Sequence, residues 1–127
     1  MKILLVDDDK FFQKFYSLKL KEQGIEMDIA SDGEEGFAKA GQFMPDLILL
    51  DLIMPKMGGL EMAKKLRENE WGKDVKIIVL TNVSGDMGKV SESMDDEIFD
   101  YFVKSDIKIE DIVAKVKERL ETPHRIY

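Results

Sequence analysis

Four aspartates, a threonine and a lysine stand out among the 127 residues because of where they fall along the chain. Asp7, Asp8 and Asp9 directly follow the apolar run Ile3 to Val6, and Asp51 directly follows Leu47 to Leu50. If those runs are neighbouring strands, three or four carboxylates converge on one crevice. Two bare charges ~4 Å apart repel by about 4 kcal/mol at an effective dielectric near 20, so such a set needs a cation. Oxygen donors without imidazole or thiolate favour Mg²⁺, Mn²⁺ or Ca²⁺ over zinc or copper. Mg²⁺ is the expected cofactor, with Mn²⁺ possible, because Mg²⁺ uses few carboxylates and keeps waters that a phosphate replaces.

Thr81 closes a fourth apolar run and Lys104 a fifth. A hydroxyl donor and an ammonium at the same sheet edge are what phosphoryl oxygens require. Each residue also has an ordinary explanation. Helix capping accounts for one aspartate of the triplet, Asp9; Thr81 fits any strand end, and Lys104 any surface. Capping does not account for Asp51, which precedes Leu52, Ile53, Met54 and Pro55 with no helix due until about Gly59. The joint placement favours a metal and phosphoryl site.

The elements that must position these groups follow from hydrophobic periodicity. Strands are expected at Ile3 to Val6, Ile25 to Ala30, Leu47 to Leu50, Val75 to Leu80 and Ile98 to Val103, each followed by a segment long enough for a crossover. Phe11, Phe15 and Leu18, with Phe12 and Tyr16 beside them, give a helical stripe, and Ile109, Ile112, Val113, Val116 and Leu120 give a cleaner one. Helices are also expected after Asp32, after Gly59 and after Gly85. The segment after Gly85 is the weakest, with only Met87, Val90 and Met94 on its apolar face and Gly88 inside it, and is expected to be the most mobile element.

The runs ILLV, LILL and VKIIVL are nearly continuous, as in strands covered on both faces, whereas IEMDIA alternates and IFDYFV carries Asp100. The first, third and fourth strands therefore belong in the centre and the second and fifth at the edges. The fold class is α/β, a flavodoxin-like (βα)5 three-layer sandwich with a parallel sheet of order 2-1-3-4-5, whose ligands bind beside the reversal between strands 1 and 3.

Length and composition are consistent with this and exclude much else. One compact domain fits 127 residues, expected at 1–121, with a short tail at 122–127 that holds the lone His124. The absence of cysteine removes disulfide scaffolds and thiolate metal sites. With 19 Lys and Arg against 26 Asp and Glu, the net charge of −7 argues against direct nucleic-acid or anionic-membrane binding. The N-terminal apolar run is too short for a signal peptide or a membrane span, so a cytoplasmic protein is expected. Only seven residues follow Leu120, which leaves no room there for an output domain: the chain is either a stand-alone unit or cut from a longer protein.

The stretches ILLVDDD, DLILLDLIMPKMGG, IIVLTN and DYFVKSD together resemble the receiver (response-regulator) domain of two-component signalling, over nearly the whole chain and in the manner of a stand-alone chemotaxis regulator. The resemblance implies that Asp51 is the phosphoacceptor. It implies Asp8, Asp51 and the Ile53 carbonyl as Mg²⁺ ligands, with Asp7 acting through a metal-bound water. Thr81 and Lys104 would bind phosphoryl oxygens, and Tyr101 would be the switch aromatic. The donor would be a phosphohistidine on a sensor histidine kinase or histidine phosphotransfer protein. Output would pass to a partner protein through the fourth helical segment, the fifth strand and the last helix, from a monomer or weak dimer. Such a domain is a phosphoacceptor that assists its own phosphorylation and dephosphorylation rather than a turnover enzyme.

The chain departs from the family pattern at several positions. Asn82 stands where a small residue is usual and narrows access to the site; Ile53 is apolar, which bears on phosphoryl lifetime. Ser105 replaces a frequent proline, and the only tryptophan, Trp71, is remote from Asp51 in sequence, which makes tryptophan quenching a poor binding assay.

Three other functions compete. A haloacid-dehalogenase-like phosphohydrolase would use Asp7 as nucleophile and Asp9 as acid/base, but leaves Asp51 and Met54-Pro55 unexplained. A phosphorylation-independent binding module would not require Asp7, Asp8, Asp51, Thr81 and Lys104 all to be intact. A flavodoxin-type carrier would need a phosphate cradle in place of the acidic stretch after the first strand.

Overall fold

The computed structural model describes residues 1–82 and 100–121. Five strands, β1 (Lys2–Val6), β2 (Glu26–Ala30), β3 (Leu47–Leu50), β4 (Lys76–Thr81) and β5 (Asp100–Val103), form one parallel sheet in the order 2-1-3-4-5. Among the described residues four α-helices cover it: α1 (Lys10–Lys21), α2 (Gly33–Phe43), α3 (Gly59–Arg67) and α4 (Ile109–Glu121). The expected helix after Gly85, with Met87, Gly88, Val90 and Met94, lies outside the described residues. So do Ile98 and Phe99 of the fifth strand and the tail 122–127 with His124.

The order follows from which strands bury both faces. Every residue of β3 and β4 and all but the first of β1 is buried, whereas β2 and β5 are each buried at their last residue only. Alternation then sorts the central side chains into two layers. Leu4, Val6, Ile48, Leu50, Ile77 and Val79 pack with Ala40, Met62, Ala63 and Leu66 of α2 and α3. Ile3, Leu5, Leu47, Leu49, Ile78 and Leu80 pack with Tyr16 and Leu20 of α1 and Ile112, Val116 and Leu120 of α4.

The structure corrects the expected stripe on α1. Phe11, Phe15 and Leu18 are exposed, at 78%, 39% and 57%, while Phe12, Tyr16 and Leu20 pack on the sheet with Gln13 and Ser17 buried between them. Two apolar rows, Phe11-Phe15-Leu18 and Phe12-Tyr16-Leu20, lie about 130° apart on a 3.6-residue helix, and only one can face the core. The sheet selects the row of Phe12, Tyr16 and Leu20, and Gln13 and Ser17 are buried with it.

Register carries the chemistry to one edge. Val6 is level with both Ala30 and Leu50, Leu50 with Val79, and Thr81 with Val103. Asp7 and Asp51 are therefore the first residues beyond the ends of adjacent strands. Asp7 still donates its N–H to the Ala30 carbonyl at 3.0 Å, and Asp51 to that of Val6 at 2.9 Å. Thr81 and Lys104 fall at the ends of the next two strands.

Candidate functional site

Each acidic side chain is held by its own element. Asp9 caps α1, its carboxylate accepting the Phe12 N–H at 3.1 Å. Asp7 turns inward, is 1% exposed, and accepts the Asp9 N–H at 2.9 Å on Oδ1. Asp8 is exposed at the mouth of the cleft that it lines. Asp51 is 7% exposed, and its backbone is fixed by a close approach of α3: a Cβ on Gly59 would lie 2.2 Å from the Asp51 carbonyl oxygen. That contact explains why glycine follows the Met-Pro stretch at this spacing.

The expected residues converge. One carboxylate oxygen from each of Asp7, Asp8 and Asp51 lies within 4.8 Å of the others. Lys104 Nζ donates to Asp7 Oδ2 at 2.6 Å and stands 3.8 Å from Asp51 Oδ2. The Thr81 hydroxyl, fully buried, donates to Asp51 Oδ1 at 2.5 Å. These groups, with Asp9, Ile53 and Asn82, line an open cleft of about 520 Å³. Asn82 stands in the cleft wall, and Ile53 is 69% exposed beside it. Trp71 packs on Phe37 with its ring 5.6 Å away and lines none of this cleft.

Electrostatics match a site arranged around a hard cation. Burial pushes the Asp7 carboxyl above the ordinary carboxylate range, and the charge of Asp51 adds to the rise; the hydrogen bonds from Lys104 and the Asp9 N–H oppose it. A carboxylate buried at net cost beside two others, with one ammonium among three negative charges, has room for a further positive charge. The all-oxygen donor set fits Mg²⁺ or Mn²⁺ and offers nothing for a softer metal. Tyr101 is half-buried against the α2 and α3 layer, and its phenol is pushed up by burial and by the Asp51 charge, so it remains a neutral hydroxyl.

Two contacts were not legible as site features. Gln13, buried one turn into α1, donates Nε2 to the Asp7 carbonyl at 2.5 Å and also lies 3.0 Å from Ser31 Oγ, tying the acidic loop to the end of β2. No local pattern signals it, because α1 also carries Lys10, Lys14, Ser17, Lys19 and Lys21 and its sequence does not show which face turns inward. Lys104 Nζ also sits 3.9 Å from the centroid of the Phe12 ring, which the sequence offers only as a member of an apolar stripe.

Comparison with known proteins agrees with this geometry. The response regulator receiver domain family matches residues 3–117, and the chain belongs to that family. It is 36% identical over 119 residues to response regulator ArlR of Staphylococcus saprophyticus, covering 94% of this chain and 52% of that protein. It is 34% identical over 125 residues to the DNA-binding dual master transcriptional regulator RpaA of Synechocystis sp., covering 98% and 51%. The chain thus spans about half the length of the curated relatives it matches. The receiver domain of sensor histidine kinase PA1611 from Pseudomonas aeruginosa, solved with magnesium coordinated in its active-site cleft, superimposes with a TM-score of 0.83 at 25% identity, covering 95% of this chain and 98% of that one. The chain is thus a receiver domain of two-component signalling, and the hydrolase and electron-carrier alternatives are not favoured.

Proposed function

We propose that Asp51 accepts a phosphoryl group from a phosphohistidine donor, a sensor histidine kinase or a histidine phosphotransfer protein. The observation that carries this reading is that the Thr81 hydroxyl and the Lys104 ammonium both approach the Asp51 carboxylate, at 2.5 and 3.8 Å, at the floor of an open cleft. Transfer forms a bond from an Asp51 oxygen to phosphorus and breaks the phosphorus bond to the donor nitrogen, giving an acyl phosphate. The Thr81 hydroxyl and Lys104 are within reach of the oxygens that arrive, and little more than positioning and charge neutralisation is required.

Asp8, Asp51 and the Ile53 carbonyl would hold Mg²⁺, with Asp7 acting through a bound water. The cation supplies neutralisation of charge on the transferring group. Phosphorylation adds up to two negative charges beside Thr81 and Lys104, and Tyr101, near enough to Asp51 for its phenol to feel that charge, is the aromatic placed to respond. Slow loss of the phosphoryl group, assisted by the same residues, would make the signal transient. The domain would occupy 1–121 and pass its signal in the cytoplasm to another protein through the face that includes β5 and α4, as a monomer or weak dimer. The charge of −7 speaks against this domain touching nucleic acid itself.

The test is intact mass after incubation with acetyl phosphate. Wild type should gain one phosphoryl group with Mg²⁺ and none in EDTA, and Asp51→Asn should gain none. Equal labelling of Asp51→Asn would refute the assignment.

A further inference from the structure

We infer that Phe12 is a positioning residue for Lys104, its ring face serving as the seat from which the ammonium reaches the phosphoryl group; the inference rests on the phosphoacceptor reading above. Lys104 carries a flexible four-carbon stem, yet its side chain is 9% exposed and its Nζ is confined on three sides. Asp7 Oδ2 lies at 2.6 Å, Asp51 Oδ2 at 3.8 Å and the Phe12 centroid at 3.9 Å. Phe12 is itself fixed at both ends. Its N–H is held by the Asp9 cap at 3.1 Å, and its ring stacks on buried Tyr16 with centroids 4.0 Å apart and planes 22° apart.

A desolvated ammonium is attracted to an aromatic face, but the face offers no lone pair. Phe12 therefore restrains the lysine without adding an acceptor that an incoming phosphoryl oxygen would have to displace. A third carboxylate in that place would hold the cation as firmly and compete for its N–H bonds. The ring also lets the aspartate that caps α1 act on the site indirectly, since the cap fixes the residue under the lysine.

The test compares wild type with Phe12→Leu and Phe12→Tyr in the full chain, with Phe37→Leu as a core truncation on the far layer. In wild type the Lys104 side-chain methylene protons nearest Nζ should be shifted upfield by the ring. Phe12→Tyr should keep the shift and Phe12→Leu lose it. At saturating Mg²⁺ and acetyl phosphate, Phe12→Leu should be phosphorylated about tenfold more slowly, the equivalent of about 1.4 kcal/mol, with its Mg²⁺ affinity unchanged. Phe12→Tyr should restore the rate, and Phe37→Leu should leave it unaltered whatever its stability.

Unshifted Lys104 protons in wild type would overturn the inference without any variant having to fold. So would a wild-type rate in Phe12→Leu, or a loss in Phe12→Tyr as large as in Phe12→Leu. A wild type that takes no phosphoryl group overturns the phosphoacceptor reading itself, and a labelled wild type with an indifferent Phe12 overturns only this step.

Discussion

At Asp7 burial and charge oppose each other. Its carboxyl is held above the ordinary range, so the folded protein keeps its proton at higher pH than the unfolded chain does. Between the unfolded and folded values the native state binds more protons, and stability falls as pH rises through that window. Above it the ionised carboxylate is a standing cost to the metal-free fold. Asp7→Asn should therefore raise the thermal unfolding midpoint in EDTA at pH 7, and an unchanged or lower midpoint would show that its bond to Lys104 outweighs burial. The same sign governs metal: protons and Mg²⁺ compete for these carboxylates, so Mg²⁺ affinity should weaken as pH falls into the raised range of Asp7. Calorimetric titration at two pH values reads this directly, and affinity independent of pH would place the metal elsewhere.

At the scale of elements, α3 sets the backbone of Asp51 through Gly59. A methyl group there would meet the Asp51 carbonyl oxygen at 2.2 Å, so backbone must move. Gly59→Ala is expected to cost about 1–3 kcal/mol in chemical denaturation and to weaken Mg²⁺ binding as well; a stability loss with intact Mg²⁺ affinity would separate α3 from the site. The edge strand β5 is tied to α4 by a fork in which Arg119 Nε and Nη2 donate to the two oxygens of Asp100 at 2.6 and 3.1 Å. With both side chains partly buried, a double-mutant cycle should give a coupling of about 1 kcal/mol, and a value near zero would reduce the fork to an exposed pair.

Much of this level was open to sequence reasoning. Continuous runs such as LILL and VKIIVL announce doubly covered strands, and Asp9 before a helical pattern announces a cap. The inward face of α1 was not open to it, because Phe11-Phe15-Leu18 and Phe12-Tyr16-Leu20 are equally periodic and the sheet alone chooses. The Asp100 fork and the Gln13 bridge likewise join residues distant in sequence by contacts that no local pattern encodes.

For the whole molecule, the two core layers pack on the two faces of one parallel sheet whose carboxyl-terminal edge concentrates negative charge. A cation bound only by the native state must then stabilise the fold. Mg²⁺ at about ten times its dissociation constant should add about 1.4 kcal/mol to the unfolding free energy of wild type, and nothing to that of Asp51→Asn. The convergence of Asp7, Asp8, Asp51, Thr81 and Lys104 was legible because each stands at a strand end, and parallel register carries strand ends to one edge. What register does not encode is which way each side chain turns: Asp7 is buried and Asp8 exposed although they are adjacent.

If Asp51 is the phosphoacceptor, chemical trapping should locate the phosphoryl group at that position in the chain. Wild type treated with acetyl phosphate and Mg²⁺ and then with borohydride, which reduces an acyl phosphate to the alcohol, is digested and its peptides are sequenced by mass spectrometry. The reduced residue should be found at position 51 and nowhere else. Reduction at position 7 would instead make Asp7 the nucleophile and exclude Asp51 as the acceptor.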